Sequence, residues 1–195
     1  MRRLTTILLS LCLILCMTAC GKKSGSVTGL DQLQTEDGVF VYPGLAWGMT
    51  VEEAADATGW TIPEPQLIYD QKGELVDSVS TLQNISFGEQ NWIVQLQFDP
   101  EGSLWSVTLA QSGTADELKK TFDSYDTALN DAYGDPTEAQ YDTAVEAANG
   151  TILDSTVTWD VVDDSGERIN VLSLSFRCIE GKDTGSLALA MNYKE

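Results

Sequence analysis

The stretch Trp92-Ile-Val-Gln-Leu-Gln-Phe-Asp-Pro-Glu-Gly-Ser-Leu-Trp-Ser-Val-Thr-Leu109 decides how this chain folds. Trp92, Val94, Leu96 and Phe98 fall at every second position, and Trp105, Val107 and Leu109 do so again. Strand side chains point to opposite faces in turn, so a period of two marks a strand with one buried face. Between the two rows stands Asp99-Pro-Glu-Gly102. Aspartate at the first position of a turn accepts hydrogen bonds from the turn's own backbone, and glycine takes the positive φ that follows. The stretch reads as an antiparallel hairpin.

Working outward, Asp70-x-x-Gly73 and Asp163-x-x-Gly166 repeat that turn between other strand-like runs. A small hairpin is expected over Leu67–Val76, followed by Ile85 and Phe87. Later rows are Val157-Trp159-Val161, Leu172-Leu174-Phe176-Cys178 and Leu187-Leu189-Met191-Tyr193. Two helices interrupt the strands. Thr50 and Glu53 have the spacing of a capping box, with Gly59 placed to end the helix. Thr114 and Glu117 open the second, whose Leu118, Phe122, Tyr125 and Leu129 recur at helical spacing until Gly134-Asp135-Pro136. The expected fold is α+β, an antiparallel sheet with two helices packed on one face, arranged as two halves of a helix and three strands. Leu96-Gln-Phe98 before Glu101-Gly102 and Leu174-Ser-Phe176 before Glu180-Gly181 echo each other at matching places, as two antiparallel hairpins of similar chemistry also would without any duplication.

Upstream, Met1-Arg2-Arg3 precedes an apolar run from Leu4 to Met17 and then Thr18-Ala19-Cys20-Gly21. A charged start, a short apolar centre and small residues before a cut are the parts of a secretory signal peptide. The run is too short for a spanning helix, which needs about 18 or more apolar residues. Met17-Thr18-Ala19-Cys20 resembles a bacterial lipobox, which implies acylation of Cys20 and anchorage on the extracytoplasmic side of a bacterial cell membrane. The expected organisation is a lipoprotein signal peptide over residues 1–19, a flexible tether over 20–38 and one domain over 39–195.

The chain carries 30 acidic against 11 basic residues, and loss of Arg2 and Arg3 with the signal takes the net charge from −19 to −21. Such a surface repels phosphate backbones, so nucleic acid is not an expected partner. Cys12 and Cys16 leave with the signal and Cys20 is the anchor. Cys178 remains alone and in phase with a strand's apolar row, which makes it a buried, inert thiol with no disulfide partner.

With no histidine in the sequence, the Ser-His-Asp triad, the Cys-His pair and histidine zinc sites are all removed. Neither a Ser-x-x-Lys, a phosphate-binding loop nor a dinucleotide fingerprint occurs. The acids Asp160, Asp163, Asp164 and Glu167 cluster without the alternating oxygens of a calcium loop. No catalytic residue, metal ligand or cofactor is assigned, and the protein is not expected to be an enzyme.

Gly44-Leu-Ala-Trp-Gly-Met-Thr50, with Glu52-Glu53-Ala54 and Gly59 behind it, resembles the helix start of small bacterial lipoproteins of the SmpA/OmlA (BamE) kind and of the related β-lactamase inhibitory protein fold. The resemblance implies an extracytoplasmic protein that works by contact with other proteins, as scaffold or inhibitor. It carries over no functional residues. Two readings of function stand side by side: a protein-interaction module, and a binder of a small ligand such as a cell-wall sugar or peptide through exposed aromatics. Trp60, which follows Gly59 and precedes Pro63 and Pro65, and Trp47 are the candidate binding residues. For Trp47 the competing reading is a latch that holds the helix start onto the core.

Overall fold

A computed structural model describes residues 29–148 and 150–194. The expected signal peptide, Cys20 and the first part of the expected tether, up to residue 28, lie outside the described residues. The eight strands are β1 (Gln66–Tyr69), β2 (Leu75–Phe87), β3 (Gln90–Phe98), β4 (Leu104–Thr114), β5 (Glu138–Ala147), β6 (Gly150–Val162), β7 (Arg168–Ile179) and β8 (Thr184–Tyr193). Two α-helices accompany them, α1 (Val51–Thr58) and α2 (Ala115–Tyr133), after a 3₁₀ turn at Leu30–Gln32. All strands form one antiparallel sheet in the order β1-β2-β3-β4-β8-β7-β6-β5.

This corrects the α+β expectation. The fold is mostly sheet, 51% strand against 18% helix, and the two-helix arrangement of the SmpA/OmlA and β-lactamase inhibitory protein kind is not found. Each helix is followed by four strands rather than three. Exchanging β1–β4 with β5–β8 leaves the strand order unchanged, and β4 and β8 meet at the centre, with Leu109 opposite Leu189.

The register puts Val94, Leu96, Leu109, Leu189, Leu174 and Val157 on one inner face, all fully buried. Only α2 lies across the strands there, over β4, β7 and β8. Phe122 meets Phe176 and Tyr125 meets Trp92 at ring distances of 6.4 and 5.8 Å. The short α1 barely touches the strands. Its expected place is taken by the segment from Leu30 to Leu45, whose Leu30, Leu33, Phe40, Val41 and Leu45 are buried. The packed part thus starts well before residue 39, inside what read as tether.

Two side chains hold this segment. Asn170, buried in β7, accepts from the Phe40 N–H at 2.6 Å and donates to the Phe40 carbonyl at 3.0 Å. The Tyr133 hydroxyl accepts from the Leu33 N–H at 2.8 Å and donates to the Leu30 carbonyl at 2.5 Å. Backbone groups outside helix and sheet must find partners somewhere, and these two residues supply some of them.

The capping box of α1 is present as expected. Glu53 N–H donates to Thr50 Oγ1 at 3.3 Å and Thr50 N–H to the Glu53 carboxylate at 2.9 Å. At α2, Thr114 instead donates its hydroxyl to Glu117 at 2.8 Å and makes no side-chain cap. All three Asp-x-x-Gly stretches are hairpin turns, closed by Gly N–H to Asp carbonyl bonds of 3.0–3.1 Å.

Candidate functional site

On the opposite, outer face no described helix is seen to pack. Across β3, β4 and β8 this face carries Ile93, Gln95, Gln97, Thr108, Ala110, Ala188 and Ala190, and these three strands contain no charged residue at all. In a protein with a net charge of −19, that neutral strip is set apart from the rest of the surface.

One large aromatic breaks the small-residue pattern. The pairing of β3 with β4 shifts between Gln97 and Phe98, so Phe98 sits opposite Leu104 while Gln97 sits opposite Ser106. The extra residue is Trp105, and a bulge re-aims the side chain it inserts. The Trp105 indole N–H donates to Asp77 Oδ1 on β2 at 2.8 Å, which holds the ring across β3. Alternation alone placed Trp105 in the buried row with Val107 and Leu109. The signal against that was the pair Leu104-Trp105, two large apolar residues in succession where a regular half-buried strand would hold one.

Beside Trp105 lies an open groove of about 560 Å³. Val76, Ile169 and Val171 contribute apolar lining, and Asp77, Asp99, Asn192, Arg168 and Lys194 contribute polar and charged lining. Arg168 pairs with Asp160 at 2.8 Å and reaches Glu138 at 3.8 Å. Lys194 pairs with Glu167 at 2.5 Å, and the Glu167 carboxylate beside it holds the ammonium above its usual range. Asp99 Oδ1 accepts from the Ser103 N–H at 2.8 Å. Ser106 donates to Asn192 Oδ1 at 2.7 Å on the groove's floor.

The groove adjoins the exposed hairpin of β1 and β2. Leu67, Ile68, Tyr69 and Val76 are four of the eight large apolar side chains exposed among the described residues, and Ile68 is the register partner of Asp77. Ile68 shares the outer face with Asp77, Leu67 opposite Ser78 points to the other face, and Val76 lines the groove with Trp105.

Neither tryptophan proposed from the sequence lies in this groove. Trp60 is half-buried against Tyr42 at a ring distance of 5.0 Å, with Ile62 also packed on the core. Trp47 stacks on Tyr193 at 5.8 Å and donates its indole N–H to the Phe40 carbonyl at 3.1 Å. A separate shallow cleft does run beside Trp47, between Val39, Val41 and Tyr193.

The acids considered for calcium are engaged with one another's neighbours. Asp163 Oδ1 accepts from the Ser165 hydroxyl and from the Ser165 and Glu167 N–H groups at 2.6–2.9 Å, and these bonds, the Ser165 hydroxyl first, hold its carboxyl below the usual range. No group of three or more potential metal ligands occurs among the described residues.

At the far end of the sheet, an added Cβ on Gly29 would lie 3.2 Å from the Phe87 ring, so the described chain begins against the β2–β3 turn. Asp99 and the groove lie at the other end of β3, nine residues and about 30 Å away. Among the described residues no helix is long and apolar enough to cross a membrane. Compared with protein-family models, curated proteins and solved structures, the chain finds no match.

Proposed function

We propose that this chain is a lipid-anchored extracytoplasmic binding module, without chemistry of its own, that holds a partner protein on the outer face of its sheet. One observation carries the reading: an open groove beside Trp105, lined by Val76, Ile169 and Val171, lies on the outer face, where Ile68 is exposed one strand further out. Contiguous exposed apolar surface on a water-soluble domain marks an interaction site. An open groove suits an extended polypeptide better than an enclosed small molecule, which calls for a concavity that buries most of it.

Cys20 supplies the anchor on this reading, by its likeness to a lipobox. Residues 21–28 reach at most about 28 Å when fully extended. The chain joins the sheet at its Phe87 end, so the groove is presented away from the lipid. Alkyne-palmitate labelling should mark the parent and not Cys20→Ala. A photo-crosslinking residue at Ile68 or Val76 in native membranes should capture one and the same protein, and the same probe at Asp131 on α2 should not. Equal capture from all three positions would end the reading.

A further inference from the structure

We propose that the groove takes a lysine or arginine side chain of an extended partner segment, laid on the Trp105 indole with its charge between Asp77 and Asp99. The proposal rests on the reading of the outer face as a partner surface and adds the chemistry of what binds there.

The ring is fixed. Its N–H bond to Asp77 spans from β4 to β2, so the indole lies over β3 and cannot roll away from an incoming group. A cation over the face of an indole is attracted by the ring's quadrupole, most strongly where water is partly excluded. Val76, Ile169 and Val171 line the approach, and long basic side chains bury their methylene stems on such surface while their charged ends stay polar.

Charge selects the sign. Asp77 and Asp99 each commit Oδ1, to the Trp105 indole and the Ser103 N–H, and no bond from a described residue reaches Oδ2 of either. Both cations that line the groove already face carboxylates, Arg168 with Asp160 and Glu138, Lys194 with Glu167. An anionic occupant would have to break these pairs, whereas a cationic one meets two open carboxylate oxygens. The net charge of −19 adds long-range attraction for the same sign.

The test uses the full chain in detergent micelles and three fluorescein-labelled peptides, valine alternating with lysine, with serine or with glutamate. Binding is followed by anisotropy at near-physiological salt. Asp77→Asn removes the charge while keeping an oxygen to accept the indole N–H, and should weaken the lysine peptide about tenfold. Trp105→Ala should weaken it by a similar factor, and Asp131→Asn, which removes an equal charge on α2, should not weaken it. Thermal unfolding of Asp77→Asn beside the parent verifies that the fold is intact, so this variant decides even where Trp105→Ala is unstable. Lysine-peptide binding that is indifferent to Asp77 overturns the proposal, because it would be attraction to the acidic surface at large. Tighter, Trp105-dependent binding of the serine or glutamate peptide also overturns it, yet leaves the groove as a partner surface. If no peptide binds in a manner that depends on Trp105 or Asp77, the proposal falls together with the reading beneath it.

Discussion

The Tyr125 hydroxyl of α2 occupies the place where a Cβ of residue 88 would stand, donating to the Gly88 carbonyl at 2.6 Å. Gly88 has a φ of +58°, and Glu89 beside it a φ of +65°. The β2–β3 turn and the middle of the long helix are thus joined through a residue that has no side chain. Gly88→Ala should destabilise the domain by about 3 kcal/mol, from the positive φ and the overlap with the phenol together. Gly102→Ala serves as the control, because φ is +86° there but no atom lies within 4 Å of the new Cβ. It should cost only about 1 kcal/mol, and urea melts of the two variants would separate backbone strain from collision.

A second expectation concerns alkali. Burial pushes the Tyr133 phenol up to about 12, against smaller opposing effects of hydrogen bonds such as that from Leu33, and burial raises Tyr125 further still. Both groups prefer to stay protonated in the fold. Their contribution is therefore complete below the ordinary tyrosine value near pH 10 and is lost as pH rises through about 12. Melting temperatures should hold steady to about pH 10 and then fall. In Tyr133→Phe the Leu33 N–H loses its partner, so stability near neutrality should drop by about 1–3 kcal/mol, while the alkaline decline becomes shallower. An unchanged alkaline slope would place the loss elsewhere.

The stretch around Trp47 is tied to the start of β4. Gly48 has a φ of +81° and donates its N–H to the Leu104 carbonyl at 2.9 Å, and the Leu104 N–H returns a bond of 2.9 Å to the Met49 carbonyl. Trp47→Ala should cost about 2–3 kcal/mol, somewhat less than for a fully buried aromatic, and Thr50→Ala about 1 kcal/mol through the lost cap. Chemical denaturation gives both numbers. A Trp47→Ala domain as stable as the parent would return this loop to the list of binding candidates.

Cys178 is only half-buried, opposite Leu153 and Gly185 at one end of β7. Burial first, and the nearby Asp142 carboxylate second, push its thiol above the usual cysteine value. Since the thiolate is the reactive form, a disulfide reagent near neutral pH should modify it much more slowly in the folded protein than in denaturant. Equal rates would show that β5 and β6 open at this end.

What could be read from the residues follows from where alternation survives. Trp92 to Phe98 and Leu172 to Phe176 face a helix or the buried segment on one side only, so their period of two is written plainly. Strand β5 carries none of it: Glu138–Ala147 is exposed along its whole length and departs from its partner's register around Asp142, at a φ of +50°. An edge strand that buries nothing has no pattern to show. Strand β2 hid for a similar reason, with Ser78 and Ser80 standing at inner positions where a hydrophobic residue was expected. The Trp105 groove was legible least of all, because a bulge is one residue of extra chain and its consequence depends on what lies two strands away, at Asp77.

The last strand in chain order sits in the middle of the sheet. β4 has β3 on one side from the outset, but its other edge waits for β8, whose nine register pairs from Thr184 to Asn192 join strands about 80 residues apart. Until those residues arrive, the first four strands present an open edge that is free of charge along its length, the kind that pairs with foreign chains. Clipping a few residues from the far end of β8 would do more than trim a margin: it would loosen the seam by which one half of the molecule recognises the other.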